Sequence, residues 1–113
     1  MVKYFTNTFV ATKVSFANEM KLIGDELNID YDKVVEYSTY DDRLGKSHWA
    51  VPGPDGKNGF GGSCFPKDLN ALIDLCYKKS IKANTLFGAW ETNLEVRPEQ
   101  DWKDLKGRAV VDE

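Results

Sequence analysis

Over the first 27 positions, Phe5, Phe9, Thr12, Phe16, Met20, Ile23 and Leu27 recur at steps of three and four. That is the repeat of one face of an α-helix, and it predicts a buried stripe on a helix from about residue 2 to residue 27. No proline interrupts the run, and Gly24 falls near its end. At about 1.5 Å per residue the helix would be roughly 39 Å long, more than the width of a domain this small. The pattern therefore predicts packing against a second subunit or domain.

Asn28-Ile29-Asp30 breaks the repeat, and Asp30 is placed to cap a second, shorter helix carrying Val34, Val35 and Tyr37. Residues 38–63 show no periodicity and hold Asp41-Asp42-Arg43-Leu44-Gly45, Pro52-Gly53-Pro54-Asp55-Gly56 and Gly59-Phe60-Gly61-Gly62. Loops this long inside small domains are uncommon and usually functional. Pro66 predicts the first position of a third helix, with Leu69, Leu72, Ile73 and Cys76 as its apolar face. Asn84 or Thr85 is expected to cap a fourth, with Leu86, Phe87, Trp90 and Leu94 as its stripe and Pro98 as its stop. Beyond Glu99 the chain is mostly charged, with Trp102 and Leu105 as anchors and Gly107 as a terminator. No useful strand alternation or internal repeat is present. The class is all-α, one long helix followed by three or more shorter ones, with a helical body over residues 1–97 and a tail or linker over 98–113.

Composition narrows the function. The 113 residues are 42% hydrophobic and 29% charged with net charge −3, ordinary for one domain and too short for a two-domain cofactor enzyme. The charges are interspersed, so nothing supplies the basic stripe that nucleic-acid binding needs. Cys64 and Cys76 with the single His48 fall short of a structural zinc set, and two thiols make no disulfide framework. Lys3 and Lys13 bracket a Thr- and Asn-rich stretch without an apolar signal region, and no run approaches the roughly 20 apolar residues of a membrane span. A soluble, cytoplasmic protein is expected, with no membrane, nucleic-acid or metal partner.

The candidate chemistry lies in Gly59-Phe60-Gly61-Gly62-Ser63-Cys64-Phe65-Pro66-Lys67-Asp68. Three glycines let the backbone take positive φ and approach a ligand closely. Cys64 is expected just before a helix, whose positive end favours a negative sulfur. Asp68, four residues on, reaches the same neighbourhood. A sulfur nucleophile beside a carboxylate suits covalent catalysis followed by base-assisted hydrolysis. From the residues alone a plainer reading stands beside this one: an inert small hydrophobe, turn-forming glycines and a carboxylate serving the helix dipole.

The run GFGGSCFPKD resembles the active-site signature of nucleotide-sugar dehydrogenases, the UDP-glucose/GDP-mannose dehydrogenase family. VKYFTNTFVATKVSFANE resembles the opening of that family's central domain, DDRLG the segment between, and DWKDLKGRAV the end of some members, so nearly the whole chain is covered. The resemblance implies a helical dimerisation domain like the C-terminal domain of 6-phosphogluconate dehydrogenase, and a homodimer paired through the long helix. It implies oxidation of the C6 hydroxyl of a UDP-sugar, UDP-glucose in the best-matching members, to a carboxylate with two NAD. Cys64 would form a thiohemiacetal and then a thioester, and Asp68 would help activate the hydrolytic water. Lys3 and Asn7, one turn apart on a helix face, would stabilise the oxyanion and hold that water. Arg43 would reach a neighbouring subunit's substrate, unless it pairs with Asp41 or Asp42. Gly59, Phe60 and Gly61 would lie along the sugar nucleotide. Asn18 lies on about the same face as Asn7 without an assigned role, and His48 reads as a loop surface residue.

Departures from the family pattern matter too. The Gly-x-Gly-x-x-Gly fingerprint is absent, so NAD is expected on a domain outside this chain, and the chain alone is expected to be inactive. The loop Ser47 to Asn58 is longer than usual for the family, and the final nucleotide-binding domain of long members is missing. A pure dimerisation module, or a relative acting on GDP-mannose or a UDP-N-acetylhexosamine, are the alternative readings.

Overall fold

The structure is a computed structural model that describes residues 1–104; the expected Leu105 and Gly107 positions lie outside that range. Among the described residues the elements are α1 (Val2–Glu26), α2 (Tyr31–Ser38), α3 (Cys64–Lys78), α4 (Asn84–Val96) and a 3-10 turn, η1 (Asp101–Asp104), with no strand. The all-α expectation holds. At ~1.5 Å per residue α1 is roughly 37 Å long, close to the 42 Å long axis of the whole molecule. It is the spine on which the other helices lie: α3 and α4 pack against α1 and each other, and α2 rests on α1.

The face by which α1 packs is not the predicted one. Thr8, Ala11, Ser15 and Asn18 are buried, along with Ala17 and Gly24. Phe5, Phe9 and Phe16 are instead 72%, 60% and 53% exposed, and Met20, Ile23 and Leu27 also face outward. The period was legible, but small side chains let α3 and α4 approach the backbone closely, and the large ones stand on the opposite wall. The polar members of the buried stripe are satisfied locally. Thr8 Oγ1 donates to the Tyr4 carbonyl at 2.6 Å, and Ser15 Oγ donates across to Ala89 O on α4 at 2.6 Å.

Two small cores result. Ala11, Phe60, Leu69 and Ala89 form the first, with Val14, Phe65, Ile73, Leu86 and Trp90 around it. Ala17, Tyr31 and Val51 form the second, with Val35 and Trp49. Tyr31 keeps its hydroxyl satisfied by donating to Trp49 O at 2.6 Å. Asp30 caps α2 as expected, its side chain accepting from the Lys33 amide.

Two boundaries differ from the sequence reading. Helix α3 begins at Cys64 with Ser63 as its cap, so Pro66 is the third helical residue rather than the first. The first-turn amides have no intrahelical partner, so a proline is tolerated there as well. Neither Asn84 nor Thr85 caps α4: Ala83 takes that position without a side-chain bond, and Asn84 is already helical. Both residues are exposed, leaving their amides to solvent. On α4 the buried positions are Ala89 and Asn93, while Phe87 is 52% exposed. Beyond α4 the chain stays on the body, with Trp102 2% exposed and its ring 5.0 Å from that of Trp90.

Candidate active site

The glycine run preceding Cys64 is fastened residue by residue. Gly59 and Gly62 adopt φ of +69° and +71°, where any Cβ is strained. The Gly59 amide donates to Asn18 Oδ1 at 3.1 Å, which gives the unassigned α1 asparagine a definite role. Asn93, fully buried on α4, grips Phe60 at both ends. Its Oδ1 accepts from the Phe60 amide at 2.8 Å and its Nδ2 donates to the Phe60 carbonyl at 3.0 Å. The Phe60 ring is 4% exposed and sits in the first core, edge-on to Phe65 at 6.1 Å.

Arg97 lies just past the end of α4 and is 2% exposed. Its Nη1 donates to Asn58 O at 3.1 Å, its Nη2 to Asp55 Oδ2 at 2.6 Å, and its Nε to Asp101 Oδ1 at 2.8 Å. The guanidinium and the Asp101 carboxylate lie flat against Gly61, where a Cβ would overlap both. Asp101 Oδ2 in turn accepts from the Gly62 amide at 3.4 Å. Burial alone would pull Arg97 down, but its bonds and charge pairing with Asp101 and Asp55 hold it above the ordinary guanidinium value. The same bonds hold the Asp55 and Asp101 carboxyls below the usual carboxylate range, against the opposing effect of their own partial burial.

This scaffold presents Cys64. The residue is exposed and opens α3, with its sulfur 3.9 Å from Ser63 Oγ. Asp68 stands one turn further along α3, on the same face as Cys64, and is 1% exposed. Asn7 Nδ2 donates to Asp68 Oδ2 at 2.7 Å, and Lys3 Nζ lies 3.9 Å from the same oxygen. Asp68 Oδ1 is buried without a hydrogen-bond partner among the described residues. A buried carboxylate oxygen in that state requires a donor, and water is the smallest that fits the need. Four of the predicted residues, Lys3, Asn7, Cys64 and Asp68, are thus brought together where α1 meets the head of α3.

Arg43 is not part of that group. Its side chain is 88% exposed and forks onto Asp41, with Nη2–Oδ2 at 2.6 Å and Nε–Oδ1 at 3.0 Å. The guanidinium holds the Asp41 carboxyl below its usual range. His48 is exposed at φ +67°, its ring 6.2 Å from Phe65. Cys76 is half-buried two turns beyond Asp68. No cluster of three potential metal ligands occurs among the described residues, and no described helix is long and apolar enough to cross a membrane. Sequence reasoning missed Arg97 and Asn93. A usable signal existed for the second: Leu86, Ala89, Asn93 and Arg97 recur at steps of three and four, placing polar side chains in a buried register.

The site is thus an exposed thiol heading a helix, one turn from a buried carboxylate held by an amide and an ammonium, in an all-helical domain. Residues 1–95 match the description "UDP-glucose/GDP-mannose dehydrogenase family, central domain", and the chain belongs to that family. It is similar to UDP-glucose 6-dehydrogenase TuaD of Bacillus subtilis, at 35% identity over 86% of this chain and 20% of the relative. UDP-glucose 6-dehydrogenase of Rickettsia prowazekii is 33% identical over 98% of this chain and 26% of its own length. GDP-mannose 6-dehydrogenase of Azotobacter vinelandii is 35% identical over 98% of this chain and 25% of its own. The chain spans about a quarter or less of the curated relatives it matches.

Proposed function

We propose that this chain is the nucleophile-bearing domain of an enzyme that oxidises UDP-glucose to UDP-glucuronate. The observation that carries the reading is the Cys64–Asp68 pair, with Asp68 Oδ2 held by Asn7 and Lys3 and its Oδ1 unpartnered. NAD is the hydride acceptor the family implies. The described residues do not fit it, since without a strand they make no strand–turn–helix cradle for a pyrophosphate. The isolated chain should therefore not turn over.

The residues present account for the acyl half of the reaction. Once the sugar C6 is an aldehyde, the Cys64 sulfur adds to it, forming the S–C bond of a thiohemiacetal. The carbonyl oxygen gains negative charge beside the Lys3 ammonium. A hydride acceptor bound outside the described residues would take two electrons from this adduct and so supply the thioester. Water held at Asp68 Oδ1 gives a proton to that carboxylate as its oxygen attacks the carbonyl carbon. The S–C bond then breaks, returning the thiolate and releasing the sugar carboxylate. The Gly59–Gly61 segment, fastened by Asn18, Asn93 and Arg97, would border the sugar nucleotide as a fixed wall.

The outward aromatic wall of α1, Phe5, Phe9, Phe16, Met20 and Ile23, is the surface through which two copies pair. Exposed apolar area on this scale marks an interaction face, and an isologous dimer covers it with itself. Arg43 projects from the body paired with Asp41, and would reach a partner's substrate by exchanging that carboxylate for the anionic sugar nucleotide. The GDP-mannose 6-dehydrogenase relative, as similar as the UDP-glucose ones, supports a second reading in which the base is guanine.

In the dehydrogenase containing this chain, Cys64→Ser should abolish carboxylate formation, while Cys76→Ser should leave it intact. Equal carboxylate yield from Cys64→Ser and unaltered enzyme overturns the nucleophile assignment. Comparing UDP-glucose with GDP-mannose as substrate decides between the two nucleotides.

A further inference from the structure

We propose that Arg97, bridging Asp55 and Asp101, is the positioning residue that sets the glycine loop and thereby the place of the Cys64 sulfur. The proposal rests on the reading of Cys64 as nucleophile. A guanidinium that is 2% exposed would be strongly unfavourable unless paired, and here two carboxylates and a carbonyl use its fork. What it holds is specific. The cluster touches the chain at Asn58 O, at the Cα side of Gly61 and, through Asp101, at the Gly62 amide, all within six residues of Cys64. Gly59 and Gly62 at positive φ are the residues that lose most freedom on ordering. Without an external clamp nothing in the loop itself keeps them in that conformation.

The three side chains come from separate places: Asp55 from the loop beyond Pro52, Arg97 from the end of α4, and Asp101 from η1. The long loop and the segment after α4 are therefore parts of the site's frame, although neither contributes a reacting group. An error of about 1 Å in nucleophile placement is worth roughly a hundredfold in rate, which sets the size of the effect.

The test uses the full chain. Arg97→Met, Arg97→Lys and Asp101→Asn are compared by amide hydrogen exchange and by iodoacetamide labelling of Cys64 against Cys76 in the same molecule. Arg97→Met should speed exchange at the Phe60 and Gly62 amides by about tenfold or more, the equivalent of one lost charged bond. It should also change the Cys64:Cys76 labelling ratio about threefold or more, while α1 amides between Ala11 and Asn18 keep their protection. Arg97→Lys keeps the charge but loses the fork, and should recover less than half of the effect. Asp101→Asn, at a side chain one-third exposed, tests the same clamp should Arg97→Met fail to fold. In the dehydrogenase containing this chain, Arg97→Lys should lower kcat about tenfold or more with KM for the sugar nucleotide within about threefold. Unchanged exchange and labelling in Asp101→Asn and Arg97→Lys overturns the positioning role, whatever Cys64→Ser does. Full carboxylate yield in Cys64→Ser, with the exchange and labelling shifts present, instead overturns the nucleophile reading and leaves the clamp standing.

Discussion

Asn93 offers the cleanest measure of what holds the loop. Replacing it by leucine removes both of its bonds to Phe60 while keeping the same number and branching of side-chain heavy atoms, so no cavity opens and the bulkier methyls can only add to the loss. The Phe60 amide and carbonyl are left without these partners in a buried setting. An unsatisfied buried polar group costs about 1–3 kcal/mol, so the two together cost about 2–6 kcal/mol. For a domain of this size 1 kcal/mol corresponds to roughly 4–8 °C, and the midpoint should fall by about 10 °C or more. Urea and thermal unfolding followed by helical circular dichroism read this directly. Asn93→Asp separates the two bonds: a carboxylate still accepts from the Phe60 amide but repels its carbonyl, so its loss should be comparable. A change below about 0.5 kcal/mol for Asn93→Leu, the level of an ordinary surface substitution, would refute the argument that Asn93 alone satisfies Phe60.

Other consequences can be checked separately. Tyr31 is pushed up to about 12, first by burial and then by the nearby Asp32 charge. Its folded value exceeds the unfolded ~10, so the contribution to stability is present below that value and fades as pH rises through the folded one. Near pH 11, about midway between them, Tyr31 should still be protonated in the folded protein, so unfolding at that pH should add a step of tyrosinate absorbance in the ultraviolet; absence of that step contradicts this. The Asp55 and Asp101 carboxyls lie below their usual range, so their pairing with Arg97 is fully present above the unfolded value near 4. It disappears as pH falls through the folded values, and a double Asp55→Asn, Asp101→Asn variant should flatten the acid limb of a Tm–pH curve. Asp30→Ala should cost about 1 kcal/mol through loss of the α2 cap, read in urea unfolding. Phe9→Glu with Phe16→Glu should shift the chain to monomer in sedimentation while leaving its helicity; a monomer without any substitution rejects pairing through α1.

The long helix was readable because its repeat survives over seven turns, yet the orientation of that repeat was not. Large apolar residues at positions 5, 9 and 16 look the same in sequence whether they meet their own chain or another surface. The small residues at positions 11, 15 and 18 carry the intramolecular contact. That Lys3 and Asn7 would meet Asp68 was legible because positions 3 and 7 share a helical face and the run GFGGSCFPKD is local. Arg97 was not, since its partners are 42 positions upstream and four downstream. Nothing in the spacing of Asp55, Arg97 and Asp101 announces that the fold closes them around Gly61. The start of α3 was misplaced because proline is compatible with several positions in a helix's first turn.

The fastening of the glycine loop also fixes an order of events during synthesis. Its ties reach back 41 residues to Asn18 and forward 33 to Asn93, and the last of them arrives with Asp101. While a ribosome is still making α4, Cys64 has already been joined to a segment whose shape is undetermined. The loop that leads into Cys64 therefore acquires its geometry late in the translation of this segment. A chain stalled before residue 97 would carry Asn18 and Asn93 but lack the Arg97–Asp101 tie that closes over Gly61.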